Sequence, residues 1–251
     1  MFLDKDMNKC AYSLLGLMVY LIFTSNVRAE VIYHEKIYPD GAGPFPAVIA
    51  LHTSGGFKTV KHLIQRYVDD GFVVYAPDFF IKHGITLRSR MDTFERFRED
   101  IEKDLSEIVD LIKKDPKVDT KNVFATGFSN GGFWVCYLTG SAKVSAGVSH
   151  YGVWKANFGR EMINPYPMKY FSRSSTPILA LHGDDDGIQK MDFAEEAWDQ
   201  IKRNSGTLEK HVYSGVGHVW DRKHSPKFAY IEKVDKDSHK RTVDFFKKYM
   251  K

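Results

Sequence analysis

Short apolar runs alternate with amphipathic stretches along most of this chain of 251 residues. A continuous apolar run, as at 46–52, is typical of a strand buried on both faces. The stretch 91–114 instead carries apolar residues every three or four positions, which is the pattern of one helix face. Strands are predicted at 31–38, 46–52, 72–77, 122–128, 144–151, 177–182 and 207–213. Helices are predicted at 59–70, 91–114, 130–139, 190–203 and 238–250.

This alternation predicts an α/β protein with a mostly parallel sheet that is flanked by helices on both faces. No internal repeat, low-complexity stretch or linker follows residue 30, so residues 30–251 are interpreted as one domain. In parallel sheets, ligands bind at the carboxyl ends of the strands. Candidate functional residues are therefore expected directly after predicted strands.

The amino-terminal residues have the pattern of a secretory signal peptide. Lys5 and Lys9 precede the apolar stretch 11–23, and Val27 and Ala29 supply small residues at positions −3 and −1 of a cleavage site. We expect cleavage after Ala29 and a mature protein that is periplasmic or secreted, with no membrane anchor left. An uncleaved anchor is the alternative, but the apolar stretch is short for a span of about 20 residues.

Charge and cysteine content exclude several classes of function. The net charge is only +4, and the basic residues alternate with acidic ones and do not form a basic block, so no nucleic-acid partner is expected. Removal of Cys10 with the signal peptide leaves Cys136 alone, which excludes an intramolecular disulfide and a cysteine-rich metal site. The histidines lack the spacing of a metal site, so we predict no metal and no cofactor. The oligomeric state stays open.

The strongest chemical signal is Ser129 in the sequence Gly127-Phe128-Ser129-Asn130-Gly131-Gly132. A serine at the apex of a Gly-x-Ser-x-Gly turn between a strand and a helix is the nucleophile elbow of serine hydrolases. The sharp turn exposes the hydroxyl group, and the helix that follows directs N–H groups at the developing oxyanion. An ordinary strand-to-helix turn would have the same composition, so the interpretation depends on further residues.

Three other strand ends supply partners for Ser129. After strand 46–52, the Thr53 N–H group can complete an oxyanion hole with the N–H group of Asn130. After strand 177–182, Asp186 is the predicted acid, although Asp184 and Asp185 adjoin it and a calcium loop is a competing interpretation. After strand 207–213, His218 is the predicted base. The order Ser129, Asp186, His218 is the chain order of the α/β-hydrolase fold.

Several aromatic residues near these strand ends are candidates for a substrate pocket. The proposed pocket residues are His52, Phe79, Phe128 and Trp220, although aromatic side chains also pack protein cores. The segment 154–175 is long for a simple connection, and we interpret it as a short helix plus a pocket wall or partial lid.

The sequences around Ser129, Asp186 and His218 resemble the dienelactone hydrolase family, and the resemblance extends over most of residues 45–250. It implies that Ser129 is the nucleophile, Asp186 the acid and His218 the base. The namesake enzymes have a cysteine at the position of Ser129 and a glutamate at the position of His52. These two departures favour a general esterase over a dienelactone hydrolase in the strict sense.

The predicted function is therefore hydrolysis of small carboxylic esters or lactones through an acyl-enzyme. A serine peptidase or a polymer or feruloyl-type esterase on the same fold is the alternative. A non-enzymatic binding protein would more often have lost one of the three catalytic residue types.

Overall fold

The computed structural model describes residues 34–156 and 165–251. The predicted signal peptide at 1–29 lies outside the described residues. The strands are β1 (His34–Ile37), β2 (Phe45–Leu51), β3 (Val73–Pro77), β4 (Val118–Phe128), β5 (Ala146–His150), β6 (Ile178–Gly183) and β7 (Leu208–Tyr213). The helices are α1 (Lys61–Asp69), α2 (Arg98–Lys113), α3 (Asn130–Gly140), α4 (Met191–Arg203) and α5 (Glu232–Lys248).

The described strands form one sheet in the order β1-β3-β2-β4-β5-β6-β7. Strand β1 pairs with β3 in antiparallel orientation, and the other neighbouring strands are parallel. The carboxyl ends of β4, β6 and β7 therefore lie at one edge of the sheet, as the argument from strand ends requires.

Side chains of the central strands alternate between two apolar cores. Along β2, Ala47, Ile49 and Leu51 pack on the side of α2, α3 and α4, whereas Val48 and Ala50 pack on the side of α1 and α5. This alternation follows from the two-residue period of a strand. The predicted fold class, a mostly parallel sheet flanked by helices on both faces, is confirmed.

Helix α3 follows the predicted nucleophile and lies in the middle of the molecule. Every residue of Asn130–Gly140 is buried, and the helix is apolar all round, as expected of an interior helix. The nucleophile turn is thus attached to one of the least exposed parts of the protein. No helix within the described ranges has the length and apolar character needed to cross a membrane.

Two helices, α2 and α5, begin far from the residues predicted, whereas α1, α3 and α4 begin within two residues of them. Helix α2 begins at Arg98 and not at 91, because a separate 3-10 turn occupies Arg90–Thr93 and the Thr93 hydroxyl accepts a hydrogen bond from the Asn130 side chain. Helix α5 begins at Glu232 and not at 238. Its first turn contains the acidic residues Glu232 and Asp235, which suit the positive end of a helix dipole. Because this turn lacks the regular spacing of apolar residues by which helices were predicted, the sequence pattern did not identify it.

Candidate active site

Ser129 lies at the apex of a strained turn between β4 and α3. Its backbone has φ 52° and ψ −109°, in the region that side chains rarely adopt. The turn has no room for larger neighbours, because a Cβ atom on Gly127 would overlap the Gly131 carbonyl group. A Cβ atom on Gly131 would overlap the carbonyl group of Leu51 on β2. Small residues are thus required here by close backbone contacts.

The structure brings Ser129, His218 and Asp186 into one hydrogen-bonded row. Ser129 Oγ lies 2.9 Å from His218 Nε2, and His218 Nδ1 lies 2.6 Å from Asp186 Oδ2. Because a carboxylate can only accept, Nδ1 carries the proton and Nε2 presents its lone pair to the Ser129 hydroxyl. Ser129 and His218 are each only 8% exposed, so the row is buried in this structure.

The Asp186 carboxylate is held by several donors. Its Oδ1 atom accepts hydrogen bonds from the N–H groups of Ile188 and Gln189, at 2.8 and 2.9 Å. Burial alone would raise the pKa of Asp186, but the hydrogen bond and charge of His218, together with these two N–H groups, lower it below the ordinary value of 3.8. The carboxylate is therefore ionised at neutral pH, as an acid that orients a histidine must be.

The loop that carries Asp186 is tied to the loop that carries His218. The Asp185 N–H group donates to the Val216 carbonyl oxygen at 3.1 Å, and the Gly215 N–H group donates to Asp184 Oδ1 at 2.6 Å. The Asp184 side chain therefore joins the two loops, in a contact between residues 31 positions apart.

Of the two predicted oxyanion donors, Asn130 lies at the first position of α3, where N–H groups have no partner within the helix. The other, the Thr53 N–H group, already donates a hydrogen bond to Thr59 Oγ1 at 3.1 Å. That bond must give way before Thr53 can act on an oxyanion. The predicted role of Thr53 therefore stays a prediction with an added condition.

The side chain of Asn130 joins three parts of the site. Its Nδ2 atom lies 3.3 Å from Ser54 Oγ and 3.1 Å from Thr93 Oγ1, and its Oδ1 atom accepts from Trp134 Nε1 at 3.2 Å. Only the backbone of Asn130 was considered from the sequence. The contacts of its side chain could not have been predicted, because the partners lie 76 and 37 residues away.

The four predicted pocket residues are all buried in the free protein. His52 and Phe79 are 0% exposed, and their rings stack with centroids 3.8 Å apart. Phe128 stacks on His150 at 4.5 Å, and Trp220 Nε1 donates to Ser238 Oγ at 3.1 Å. These contacts account for the burial of all four side chains, and their proposed contact with substrate stays a prediction.

The described part of segment 154–175 packs against the helices. Its only regular element among the described residues is a 3-10 turn at Met168–Tyr170. The ring of Tyr170 lies 5.2 Å from that of Tyr137 on α3, and its hydroxyl group donates to Glu102 on α2 at 2.6 Å. Residues 157–164 of this segment lie outside the described residues, so the pocket wall or partial lid stays a prediction.

Three functional candidates carried no signal in the sequence. The ring of Tyr151 lies 5.0 Å from that of His218, and its hydroxyl group donates to Asp221 Oδ1 at 2.7 Å. Tyr151 also has a positive φ of 36°, which marks local backbone strain. Arg222 Nη2 donates to Thr53 Oγ1 at 3.2 Å, across 169 residues of sequence.

Two openings lie beside the loop that carries Thr53. A cavity of about 920 Å³ lies between α1, the loop 221–226 that follows His218, and the start of α5. A smaller opening of about 200 Å³ lies between residues 54–56 and residues 78–87. We call the smaller one the apolar groove, since Phe80, Ile81, Ile85 and Leu87 line it. Within 34–156 and 165–251, no three histidine, cysteine or acidic residues are grouped to hold a metal ion.

Comparisons with known proteins agree with this geometry. The family model described as "Dienelactone hydrolase family" matches residues 35–250. Protein usf of Aquifex pyrophilus is 26% identical over 221 residues, which cover 82% of this chain and 89% of that protein. A provisionally named carboxymethylenebutenolidase of Aquifex aeolicus is 25% identical over 228 residues, with coverage of 85% and 91%. The crystal structure of a provisionally named dienelactone hydrolase from Klebsiella pneumoniae has the same fold, with a TM-score of 0.70, 22% identity and coverage of 86% and 92%.

Proposed function

From the premise that this chain belongs to the dienelactone hydrolase family and is an ester-bond hydrolase, we propose that it cleaves small carboxylic esters or lactones through an acyl-enzyme on Ser129. The family membership confirms the resemblance noted in the sequence, and with it the α/β-hydrolase fold. One observation carries the proposal, namely the row from Ser129 Oγ to His218 Nε2 at 2.9 Å and from His218 Nδ1 to Asp186 Oδ2 at 2.6 Å.

The proposed reaction begins with attack of Ser129 Oγ on the ester carbonyl carbon, while His218 Nε2 takes the hydroxyl proton. The oxyanion that forms accepts a hydrogen bond from the Asn130 N–H group, and from Thr53 once its bond to Thr59 has opened. The bond to the leaving alcohol then breaks, and His218 gives that oxygen its proton. Water, deprotonated by His218, releases the acid and restores Ser129.

The chain departs from the namesake enzymes at two positions, and both departures support a general esterase. A serine stands where those enzymes have a cysteine, and His52 stands where they have a glutamate. His52 is fully buried and stacked on Phe79, so it offers no carboxylate to a substrate. Turnover of a panel of short acyl esters, lactones and aminoacyl amides ranks the substrate classes, and we expect esters to lead.

Replacement of the nucleophile tests the mechanism. In Ser129→Ala the attacking oxygen is gone, so kcat for p-nitrophenyl acetate should fall by at least about 10³-fold. A fluorophosphonate probe should label the wild-type protein and leave Ser129→Ala unlabelled. The melting temperature should stay close to the wild-type value, which separates lost chemistry from lost folding.

Ser149→Ala is the matched control for that experiment. Ser149 is also a fully buried serine, at the end of the neighbouring strand β5, and its Oγ atom has no hydrogen-bond partner among the described residues. The control should keep wild-type turnover and labelling. Undiminished turnover or labelling in Ser129→Ala would show that another residue is the nucleophile.

We further propose that residues 1–29 direct export and are then removed, which places the hydrolase in the periplasm or outside the cell. Support comes from the two lysines, the apolar stretch 11–23 and the small residues Val27 and Ala29. Protein recovered outside the cytoplasm of an exporting bacterial host should begin at Glu30. Recovery of the intact amino terminus there would contradict the proposed cleavage.

A further inference from the structure

The apolar groove adjoins the residue that follows the nucleophile. One wall is the turn 54–56, and the other is the loop 78–87. The Asn130 side chain donates to Ser54 Oγ in the first wall at 3.3 Å. It also donates to Thr93 Oγ1 at 3.1 Å, in the 3-10 turn just beyond the second wall. Asn130 therefore ties one wall of the groove, and the 3-10 turn that follows the other wall in sequence, to the amino-terminal end of α3, next to Ser129.

The position of the groove decides which part of an ester it can receive. His218 must protonate the leaving oxygen, so the leaving group has to lie on the side of the loop between β7 and α5 that carries His218, which we call the histidine loop. The large cavity is on that side, since residues 221–226 line it. None of the described residues that line the groove belongs to the histidine loop. The groove is thus connected to the nucleophile turn through Ser54 and Asn130, and it shares no described lining residue with the loop that carries His218.

The groove presents the most exposed large apolar side chains among the described residues. Ile81 is 61% exposed and Leu87 is 62% exposed, compared with 43% for Leu111 on α2. Single exposed apolar residues are common, but these two border the same opening, together with Phe80 and Ile85. An aliphatic chain in the groove would remove apolar surface from water, which favours binding about fourfold for each fully buried methylene group.

The loop that carries these side chains is held by contacts with two aspartates. His83 Nε2 and Lys82 Nζ each lie 2.7 Å from the carboxylate of Asp104, which is buried on α2. The N–H groups of Phe80 and Ile81 donate to Asp78 Oδ1 at 3.0 and 3.2 Å. The groove is therefore preformed, and little conformational entropy is lost when a chain enters it.

Asp78 also gives the groove a charge preference. Its side chain borders the groove and is partly exposed. Burial alone would raise the pKa of Asp78, but contacts with His52 and the two N–H groups lower it, so the carboxylate is ionised at neutral pH. A free carboxylate at the far end of the acyl chain would be repelled by the Asp78 carboxylate.

We propose that the apolar groove is the acyl pocket of this hydrolase and that it selects uncharged aliphatic acyl chains, with Ile81 and Leu87 as specificity-determining residues. This inference rests on the proposed function of Ser129. The groove has a volume of about 200 Å³, which leaves room for several methylene groups. We therefore expect a preference for butyryl and hexanoyl esters over acetyl esters.

The test compares p-nitrophenyl acetate, butyrate, hexanoate and octanoate. For the wild-type protein, kcat/KM should rise by about two- to fourfold per methylene group up to hexanoate and then level off. In the double variant Ile81→Ser/Leu87→Ser this rise should flatten, with the acetate value within about twofold of wild type. Leu111→Ser, which also truncates an exposed apolar side chain, should keep the wild-type profile.

Two further measurements make the test specific. Ile85→Phe narrows the groove and should shift the optimum towards acetate, and thermal melting identifies any variant that fails to fold. The p-nitrophenyl monoester of succinate should react at least about tenfold more slowly than the butyrate, because of its terminal carboxylate.

The outcomes separate the two proposals. An unchanged chain-length profile in both groove variants would overturn the acyl pocket alone, as would a profile that changes with the alcohol and not with the acyl chain. Equal rates for the succinate and butyrate esters would overturn the charge preference. Failure of the wild-type protein to hydrolyse any ester would instead overturn the proposed function.

Discussion

Two buried histidines near the nucleophile turn each face a carboxylate, and the two pairs differ in the partner of the second ring nitrogen. In the pair His218–Asp186, Nδ1 donates to the carboxylate at 2.6 Å and Nε2 faces Ser129 Oγ. In the pair His52–Asp78, Nε2 faces the carboxylate at 3.4 Å and Nδ1 donates to the Thr53 carbonyl oxygen at 2.8 Å. The first histidine can accept a proton from a nucleophile, whereas the second fixes the backbone.

The surroundings of the two rings reinforce this difference. His218 is 8% exposed, and its Nε2 atom faces the hydroxyl group of Ser129. His52 is 0% exposed, with Phe79 stacked on its face at 3.8 Å and Phe80 edge-on at 4.8 Å. We conclude that His218 of the first pair is a candidate base. The second pair, His52–Asp78, instead holds the backbone at Thr53, the predicted oxyanion donor, and we call this pair the brace.

The largest effect is expected when the carboxylate of the first pair is made neutral. In Asp186→Asn the amide can donate to Nδ1, which moves the histidine proton to Nε2 and removes the lone pair that Ser129 needs. The value of kcat for p-nitrophenyl butyrate should fall by about 10³- to 10⁴-fold. Retention of more than a tenth of the activity would mean that Asp186 does not orient the base.

Asp70→Asn is the control for that variant. Asp70 also faces a histidine, with His239 Nε2 at 2.7 Å, but this pair joins α1 to α5 on the outer side of the sheet and is partly exposed. Its loss should leave kcat unchanged. A similar fall in activity for Asp70→Asn would indicate a general effect on the fold and would remove the contrast between the pairs.

The lowered pKa of Asp186 also predicts how stability depends on pH. Because the pKa in the folded protein lies below the ordinary value of 3.8, the stabilisation is complete above that value and is lost as the pH falls through the folded pKa. Acid unfolding of the wild-type protein should therefore steepen below about pH 4. Asp186→Asn should show a shallower dependence there, which urea titrations at several pH values measure.

The residues of the catalytic row could be predicted from the sequence because each signal is local. An apolar run followed by a turn identifies the end of a strand, and parallel strands bring such ends to one edge of the sheet. Ser129 was identified by its Gly-x-Ser-x-Gly turn, and Asp186 and His218 by their positions after strands, their chain order and the family resemblance. The fold class and the strands followed from the same patterns.

The brace could not be predicted in this way, because tertiary contacts define it. His52 was interpreted as a pocket residue, and nothing in the sequence places Asp78 beside its ring or Thr59 on the Thr53 N–H group. The same limit explains the start of α2, where Thr93 meets Asn130 across 37 residues. Local patterns locate the candidate catalytic side chains, whereas the contacts that position them arise only when the chain folds.

The smaller effect is expected at His52, and it tests whether the second pair acts as a brace. His52→Leu removes the donor to the Thr53 carbonyl oxygen, so the backbone of the residue that carries the predicted oxyanion donor loses one of the contacts that hold it. Loss of such a donor costs about 10²- to 10³-fold in kcat, and misorientation should cost less, about tenfold, with little change in KM. In His52→Asn the amide nitrogen takes the place of Nδ1, so that variant should recover part of kcat although it leaves a larger void. If both variants lower stability alike and neither changes kcat, His52 only packs the core.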